Sequence, residues 1–333
     1  MTLRIGIVGC GSIAEAMHIP AAKNVEDVEL TTLIDADAVR SEELAAKHDV
    51  PFSGKALADV VDQLDAAVVC TPPHLHLPLV EDAFAKGLHV LCEKPLANTL
   101  KECEAMVAAG KQAGRTLAMA HIFRFYPVRR EMKRIIEQRR FGALVSVHIE
   151  QGNPYSWKSV TGYNMRRELV PGGVLIDAGI HPLDTMLWWC GDPRSISYKD
   201  DALGGLESNA SMDLDFAGGV KGHLRISRTA QLCNLFRLTF ETATVVLTPY
   251  STGEYTVVER DRKEACIAPG GDVKAADCAH SQMRDFARSV IDNREPLVSA
   301  EEGERCIRTI EEAYRMRDRR PLPSKAPTPG LTW

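Results

Sequence analysis

Gly9-Cys10-Gly11-Ser12-Ile13-Ala14 is a G-x-G-x-x-A turn that follows the apolar run Leu3 to Val8. Glycine has a use at both places. Gly9 takes the tight turn off a strand, and Gly11 has no side chain to hold a pyrophosphate away from the backbone. Ala14 lets the next helix pack close to the strand, and Ser12, Ile13 and Ala14 offer that helix's first amides to the phosphates. A second apolar run, Val28 to Ile34, ends at Asp35, roughly 20 residues past the glycines, where a carboxylate accepts from a ribose 2′-OH. Together these residues predict a nicotinamide dinucleotide site. Asp35 repels a 2′-phosphate and favours NAD, whereas Arg40, close in sequence, is the residue that would suit NADP.

An amine, a carboxylate and an imidazole stand out further along: Lys94, Asp177 and His181. Taking a hydride from a secondary alcohol requires the hydroxyl proton to leave as well, so a base must lie within hydrogen-bond reach. His181 titrates near neutrality and suits that task. An ammonium at Lys94 binds the substrate oxygen and stabilises developing alkoxide charge. Asp177, four residues before His181, either orients the ring or binds a second hydroxyl, although Pro182 allows a kink between them. Tyr155, Trp157, Lys158, Tyr163, Asn164, Arg166 and Arg167 lie in a polar-aromatic stretch suited to a polyhydroxylated ligand, with arginine available for a carboxylate or phosphate.

The elements that position these residues follow from periodicity. Short apolar runs at Leu3–Val8, Val28–Ile34, Leu64–Cys70, Leu88–Cys92 and Thr116–Ala120 alternate with helical spacing, which predicts a doubly wound parallel sheet. Gly9, Asp35, Thr71 and Lys94 all fall at predicted carboxyl ends, where such sheets bind ligands. Beyond about Phe123 the pattern changes to helix, strand, an irregular stretch, a helix from Gly172 to Cys190, several alternating segments and closing helices. The expected division is a Rossmann domain over 1–122, an α+β substrate and oligomerisation domain with a large, mostly antiparallel open sheet over 123–319, and a proline-rich tail over 320–333. One face of that sheet needs cover, which predicts a homodimer or homotetramer.

The chain has 333 residues and a formal net charge of −5, giving no reason to expect nucleic acid or an anionic membrane as partner. Nine cysteines without a C-x-x-C pair suggest reduced thiols in the cytoplasm and no metal centre. A first strand so near Met1 leaves no room for a signal peptide, and no apolar run reaches membrane-spanning length.

Four motifs occur in order: G-C-G-S-I-A, T-P-P-H-L-H at Thr71 to His76, E-K-P at Glu93 to Pro95, and G-G-V-L-I-D-A-G-I-H at Gly172 to His181. On these the chain resembles the glucose–fructose oxidoreductase / inositol dehydrogenase / MocA family from about Leu3 to Arg319. The resemblance implies a sugar, polyol or inositol oxidoreductase with Lys94, Asp177 and His181 as its catalytic group. It further implies that Thr71, Pro72, His76 and Glu93 line the cofactor and that Arg124, in an R-F segment, reaches substrate. Many relatives carry asparagine where this chain has Ile122, which leaves Ile122 outside the site. Family members that cleave glycosides by transient oxidation, and a cofactor-sensing repressor of the same architecture, are the alternative readings. Lys94-Pro95 is a candidate cis peptide.

Overall fold

The computed structural model describes residues 2–156, 159–259 and 262–317. Six strands, β1 (Leu3–Val8), β2 (Val28–Ile34), β3 (Phe52–Gly54), β4 (Ala66–Val69), β5 (His89–Glu93) and β6 (Leu117–Ala120), form a parallel sheet in the order β3-β2-β1-β4-β5-β6. β4 and β6 are buried at every residue, as strands covered on both faces must be. The connections are α1 (Ile19–Lys23), entered through a π-turn over Ala14–His18, then α2 (Ala38–Lys47), α3 (His76–Ala85) and α4 (Leu100–Ala113). Thr99 starts α4 with a reciprocal cap: its hydroxyl accepts from the Glu102 amide at 3.2 Å, and the Glu102 carboxylate accepts from the Thr99 amide at 2.9 Å. Gly114, at φ 60°, ends the helix in the left-handed conformation.

α5 (Pro127–Glu137) leads into the second half. There β7 (Leu144–Gly152), β8 (Ser195–Asp200), β9 (Asn209–Asp215), β10 (Lys221–Ser227), β11 (Leu235–Phe240), β12 (Thr244–Leu247), β13 (Glu254–Glu259) and β14 (Arg262–Ile267) form one sheet, with α6 (Ile180–Cys190) between β7 and β8. Its order is β14-β13-β12-β11-β7-β10-β9-β8, antiparallel except where β10 runs parallel to β7. Alternation along the strands puts Val147, Ile149, Leu224, Ile226, Phe236 and Leu238 in the core. The opposite face carries Asp213, His223, Arg225 and Arg237, so it is polar and charged, not the apolar surface that the argument from cover assumed.

The strands that periodicity missed, β3, β8 and β14, are all edge strands. These three edges are exposed or half-buried at several positions and carry less apolar signal, unlike β6, an edge buried at every residue: β14 is Arg-Lys-Glu-Ala-Cys-Ile and almost wholly exposed. The closing helices α7 (Ala275–Ile291) and α8 (Ala300–Arg315) return towards the first half. Ala279, Met283 and Phe286 of α7 share a core with Leu3 and Ile5 of β1, and Ser299 bridges to Ala118 of β6. The spatial halves therefore interleave where the expected division at residue 122 cuts the sequence once.

Gly172 and Gly173 start the segment that carries Asp177 and His181. A Cβ on Gly172 would overlap the Tyr314 ring, and one on Gly173 would overlap the backbone of Glu207. Glu207 fixes this start: its carbonyl accepts from the Val174 amide at 2.8 Å and its carboxylate from the Leu175 amide at 3.2 Å. Tyr314 and Arg317, from the end of α8 and just beyond it, hold the Glu207 carboxylate at 2.7 and 2.8 Å. Gly173→Ala is expected to destabilise the fold by about 1–3 kcal/mol through overpacking, read as a lower denaturant midpoint. A midpoint equal to the parent's would contradict so tight an approach.

Candidate active site

Gly9 has φ +93°, and a Cβ there would lie 2.8 Å from the Thr71 amide nitrogen, so the turn presses on the loop after β4. Gly11 differs. A Cβ there would meet nothing within 4 Å, which leaves open space before the amides of the first helix. Ser12 and Ile13 stand at that mouth and Ala14 is buried behind it. Thr71 contributes a buried hydroxyl without a partner among the described residues. An open cradle beside an unpaired hydroxyl fits a dinucleotide.

Asp35 accepts from the Cys10 amide at 2.7 Å and from the Asp37 amide at 2.9 Å. Asp37, not Asp35, caps α2. Carboxylate oxygens have further lone pairs, so Asp35 keeps acceptor capacity for a ribose hydroxyl. Arg40 donates to the Cys10 carbonyl and lies 3.7 Å from Glu15, bracing the turn.

Lys94 and Asp177 meet at the seam between the halves. Lys94 Nζ donates to the Asp177 backbone carbonyl at 2.8 Å and stands 4.0 Å from its carboxylate. That carbonyl lies in a π-turn over Leu175–Gly179, and Pro182, five residues on, has no amide to offer it. The Lys94-Pro95 bond is cis. Asp177 also accepts from Asn164 Nδ2 at 3.0 Å, and the same amide reaches the Tyr155 hydroxyl at 2.7 Å. Tyr163 lines the cleft with Asp177; burial first, then the Asp177 and Glu93 carboxylates, pushes its phenol up. The amide oxygens of Asn164 and Asn98 are buried there without partners.

His181 packs edge-on to Phe123, with ring centroids 4.6 Å apart, and stacks on His121 at 4.8 Å. Its Nδ1 lies 2.9 Å from His121 Nε2. Burial first, then the charge of Lys94, holds its pKa well below the usual histidine value; Arg129 adds to this and Asp184 opposes it. His181 is therefore neutral at neutral pH.

Several expected contacts resolve differently. Arg124 does not reach the cleft: only 2 % exposed, it donates to both oxygens of Asp184 at 2.8 and 2.6 Å and to Glu302 at 2.6 Å. A desolvated guanidinium so occupied has nothing to offer substrate. His76 is fully buried, with its ring nitrogens 2.8 Å from the Thr71 carbonyl and 3.0 Å from the Leu96 carbonyl, so it struts two loops behind the cofactor edge. Pro72 enters the short turn Pro73–Leu75 on that edge. Arg166 is exposed and paired with Glu168 at 2.8 Å, outside the cleft. Tyr155 is partly exposed and reaches the site through Asn164. Trp157, Lys158 and the tail at 320–333 lie outside the described residues.

Sequence reasoning missed His18, Asn98 and His121 as members of the site, and placed Asn164 only within the polar-aromatic stretch. His121 had a signal: it directly follows β6 at a carboxyl end, as Lys94 does on β5. His18 had none. Folding brings its Nε2 within 2.7 Å of Glu93 Oε1, while the other Glu93 oxygen accepts from the Lys94 amide at 3.0 Å. No cluster of metal-ligating side chains occurs among the described residues, and no helix there is long and apolar enough to cross a membrane.

The model of an oxidoreductase family with an NAD-binding Rossmann fold, GFO/IDH/MocA, matches residues 3–121, and that of the GFO/IDH/MocA C-terminal domain matches residues 129–246. Among curated proteins the chain is 24% identical to D-xylose 1-dehydrogenase [NADP(+)] of Haloarcula marismortui, over 94% of this chain and 90% of that protein. It is 29% identical to scyllo-inositol 2-dehydrogenase (NADP(+)) of Bacillus subtilis, over 68% of this chain and 70% of that one. Its fold superposes on aldose-aldose oxidoreductase from Caulobacter crescentus complexed with glycerol, with a TM-score of 0.86, 24% identity, and coverage of 95% of this chain and 97% of the other.

The pair behind Lys94 has a pH signature. Burial works against charge on His18, but the neighbouring Cys70 and Glu93 outweigh it and raise its pKa to about 10. Against an unfolded value of about 6.5, a raised pKa means stability that is fully present below that value and lost as pH climbs through about 10. His18→Gln is expected to flatten the fall in Tm across this window, measured by thermal unfolding at a series of pH values. A fall of equal steepness in parent and variant would contradict the assignment.

Proposed function

The chain belongs to the GFO/IDH/MocA oxidoreductase family, and on that premise we propose that it acts on a neutral sugar, polyol or inositol. The reaction joins a secondary alcohol to its ketone. One observation carries this reading: Lys94 Nζ sits 2.8 Å from the Asp177 carbonyl, which brings the strand-end ammonium to the segment that bears His181. When bound, NAD(P) supplies the hydride acceptor, or the donor in reverse.

This chain's own residues do the rest. Gly11 and the first helix amides hold the diphosphate, Asp35 holds the ribose, and Thr71 and Glu93 border the nicotinamide end. Lys94 donates a hydrogen bond to the reacting oxygen and stabilises its negative charge. His181, neutral, takes the hydroxyl proton on Nε2, since Nδ1 faces His121. Asp177, oriented by Asn164, holds a neighbouring hydroxyl.

The cleft favours an uncharged substrate. Asn98, Asn164 and Asp177 line it, and the Asp177 carboxylate suits a hydroxyl donor and repels a carboxylate or phosphate. Arg124 and Arg166, the cations that would have read an anion, are engaged elsewhere. The xylose and inositol named for the two relatives are neutral polyols of this kind. Asp35 favours NAD over NADP, unlike the cofactor named for those two relatives.

Screening neutral sugars, polyols, inositols and sugar acids with NAD and with NADP is expected to give reduced cofactor most efficiently with NAD and a neutral compound. His181→Ala and Lys94→Ala should each lower kcat by about 10²–10⁴-fold with little change in dinucleotide Kd. Unchanged turnover in either variant, a preference for sugar acids, or tighter NADP binding would contradict the corresponding part.

We further propose a cytoplasmic homo-oligomer assembled on the open face of the second sheet. Asp213, His223, Arg225 and Arg237 give that face both signs of charge, which suits pairing with a second copy. Light scattering should return a mass two or four times that of one chain, falling when Arg225 and Arg237 are both changed to Glu. A monomer at every concentration would refute the assembly.

A further inference from the structure

A histidine pressed by Lys94 is a poor place to leave a positive charge, and the mechanism above puts one there. The resolution lies behind His181. His121 is fully buried, its Nε2 2.9 Å from His181 Nδ1, and its Nδ1 2.7 Å from Asp184 Oδ2, close but off the line of an ideal hydrogen bond. Asp184 is fully buried too. Burial disfavours its charge, yet His121 and Arg124 hold it well below the usual carboxylate range, so it is ionised.

An ionised carboxylate this near a ring nitrogen requires the proton on that nitrogen, because a bare lone pair would repel it. His121 therefore carries a proton on Nδ1, and in the neutral ring Nε2 is then an acceptor. The facing His181 Nδ1 must then donate, and His181 Nε2 is left basic. Four residues fix a tautomer in sequence, starting from Arg124.

Resting on the reading of His181 as the acid–base, we propose that His121 is a positioning residue that orients His181 and takes up the proton's charge, with Asp184 as its counterion. In the oxidation direction the substrate O–H bond breaks and its proton joins His181 Nε2. The His181 Nδ1 proton passes to His121 Nε2. His181 ends neutral with the opposite tautomer, and the imidazolium sits at His121 against Asp184, one ring further from Lys94. Once product has left, His181 Nε2 gives its proton to water and takes back the Nδ1 proton from His121.

The charges around the pair favour this direction. Lys94 at the end of β5 and Arg129 of α5 both oppose charge on His181. Asp184 of α6 favours it, and its negative charge is not fully spent on Arg124, which is shared with Glu302. Arg129 is itself buried without a carboxylate partner, bonded to Thr185 at 3.1 Å and the Pro249 carbonyl at 3.0 Å. Phe123 closes the remaining side of His181.

Nitrogen-15 histidine NMR on the full chain without cofactor reads the tautomers directly. The parent should show His181 protonated on Nδ1 and His121 on Nδ1, and His121→Phe should move His181 towards the Nε2–H form. Kinetically, His121→Phe should lower kcat about 10²-fold while substrate KM and dinucleotide Kd stay close to the parent's. His121→Gln can accept from His181 Nδ1 but cannot take its proton, so it should restore the tautomer and not the rate. An Nε2–H His181 in the parent, parental kcat in His121→Phe, or full recovery of rate in His121→Gln would overturn the relay. Loss of activity in His181→Ala beside full activity in His121→Phe would remove the relay alone, whereas full activity in His181→Ala would remove the reading beneath it.

Discussion

The contact between Lys94 Nζ and the Asp177 carbonyl is the constraint around which the site is built. It joins the carboxyl end of a strand in the parallel sheet to a π-turn in the second half. The lysine stands next to a cis proline, and the carbonyl lies in a widened turn followed by Pro182. Glu207, backed by Tyr314 and Arg317, fixes the entry to that turn, so the last turn of α8 and the residues just after it bear on the placement of Asp177 and His181.

Charge is sorted across the site in layers. Asp35 and the open space at Gly11 form the dinucleotide end, and Glu93 bridges from His18 to the Lys94 amide. Lys94 is a cation beside a neutral imidazole. Behind that imidazole, the His121 ring leads to Asp184, Arg124 and Glu302, a carboxylate, a guanidinium and a carboxylate in turn. A buried network this well paired is costly to break and rigid once formed. Rigidity is what a base needs when its partner oxygen must be met at one distance.

Much of this was legible in the residues themselves. The parallel sheet was readable because strands covered on both faces are continuous apolar runs, and the strand-end rule placed Gly9, Asp35, Thr71 and Lys94 together. Edge strands β3, β8 and β14 were not, since these edges have too little buried surface to imprint a pattern. Arg124 illustrates the limit for the site. Its type suited an anion, but whether a guanidinium faces ligand or a buried carboxylate depends on Asp184 and Glu302, which are distant in sequence. His18 and Asn98 were hidden for the same reason, and the interleaving of α7 with β1 followed from no local signal.

A crystal structure with dinucleotide and an unreactive analogue of the preferred polyol bound together tests the central claim most directly. The account predicts one ligand oxygen within hydrogen-bond distance of both Lys94 Nζ and His181 Nε2, with a neighbouring hydroxyl on Asp177. A ligand whose oxygens reach Lys94 and His181 separately, or that leaves either side chain untouched, would contradict it.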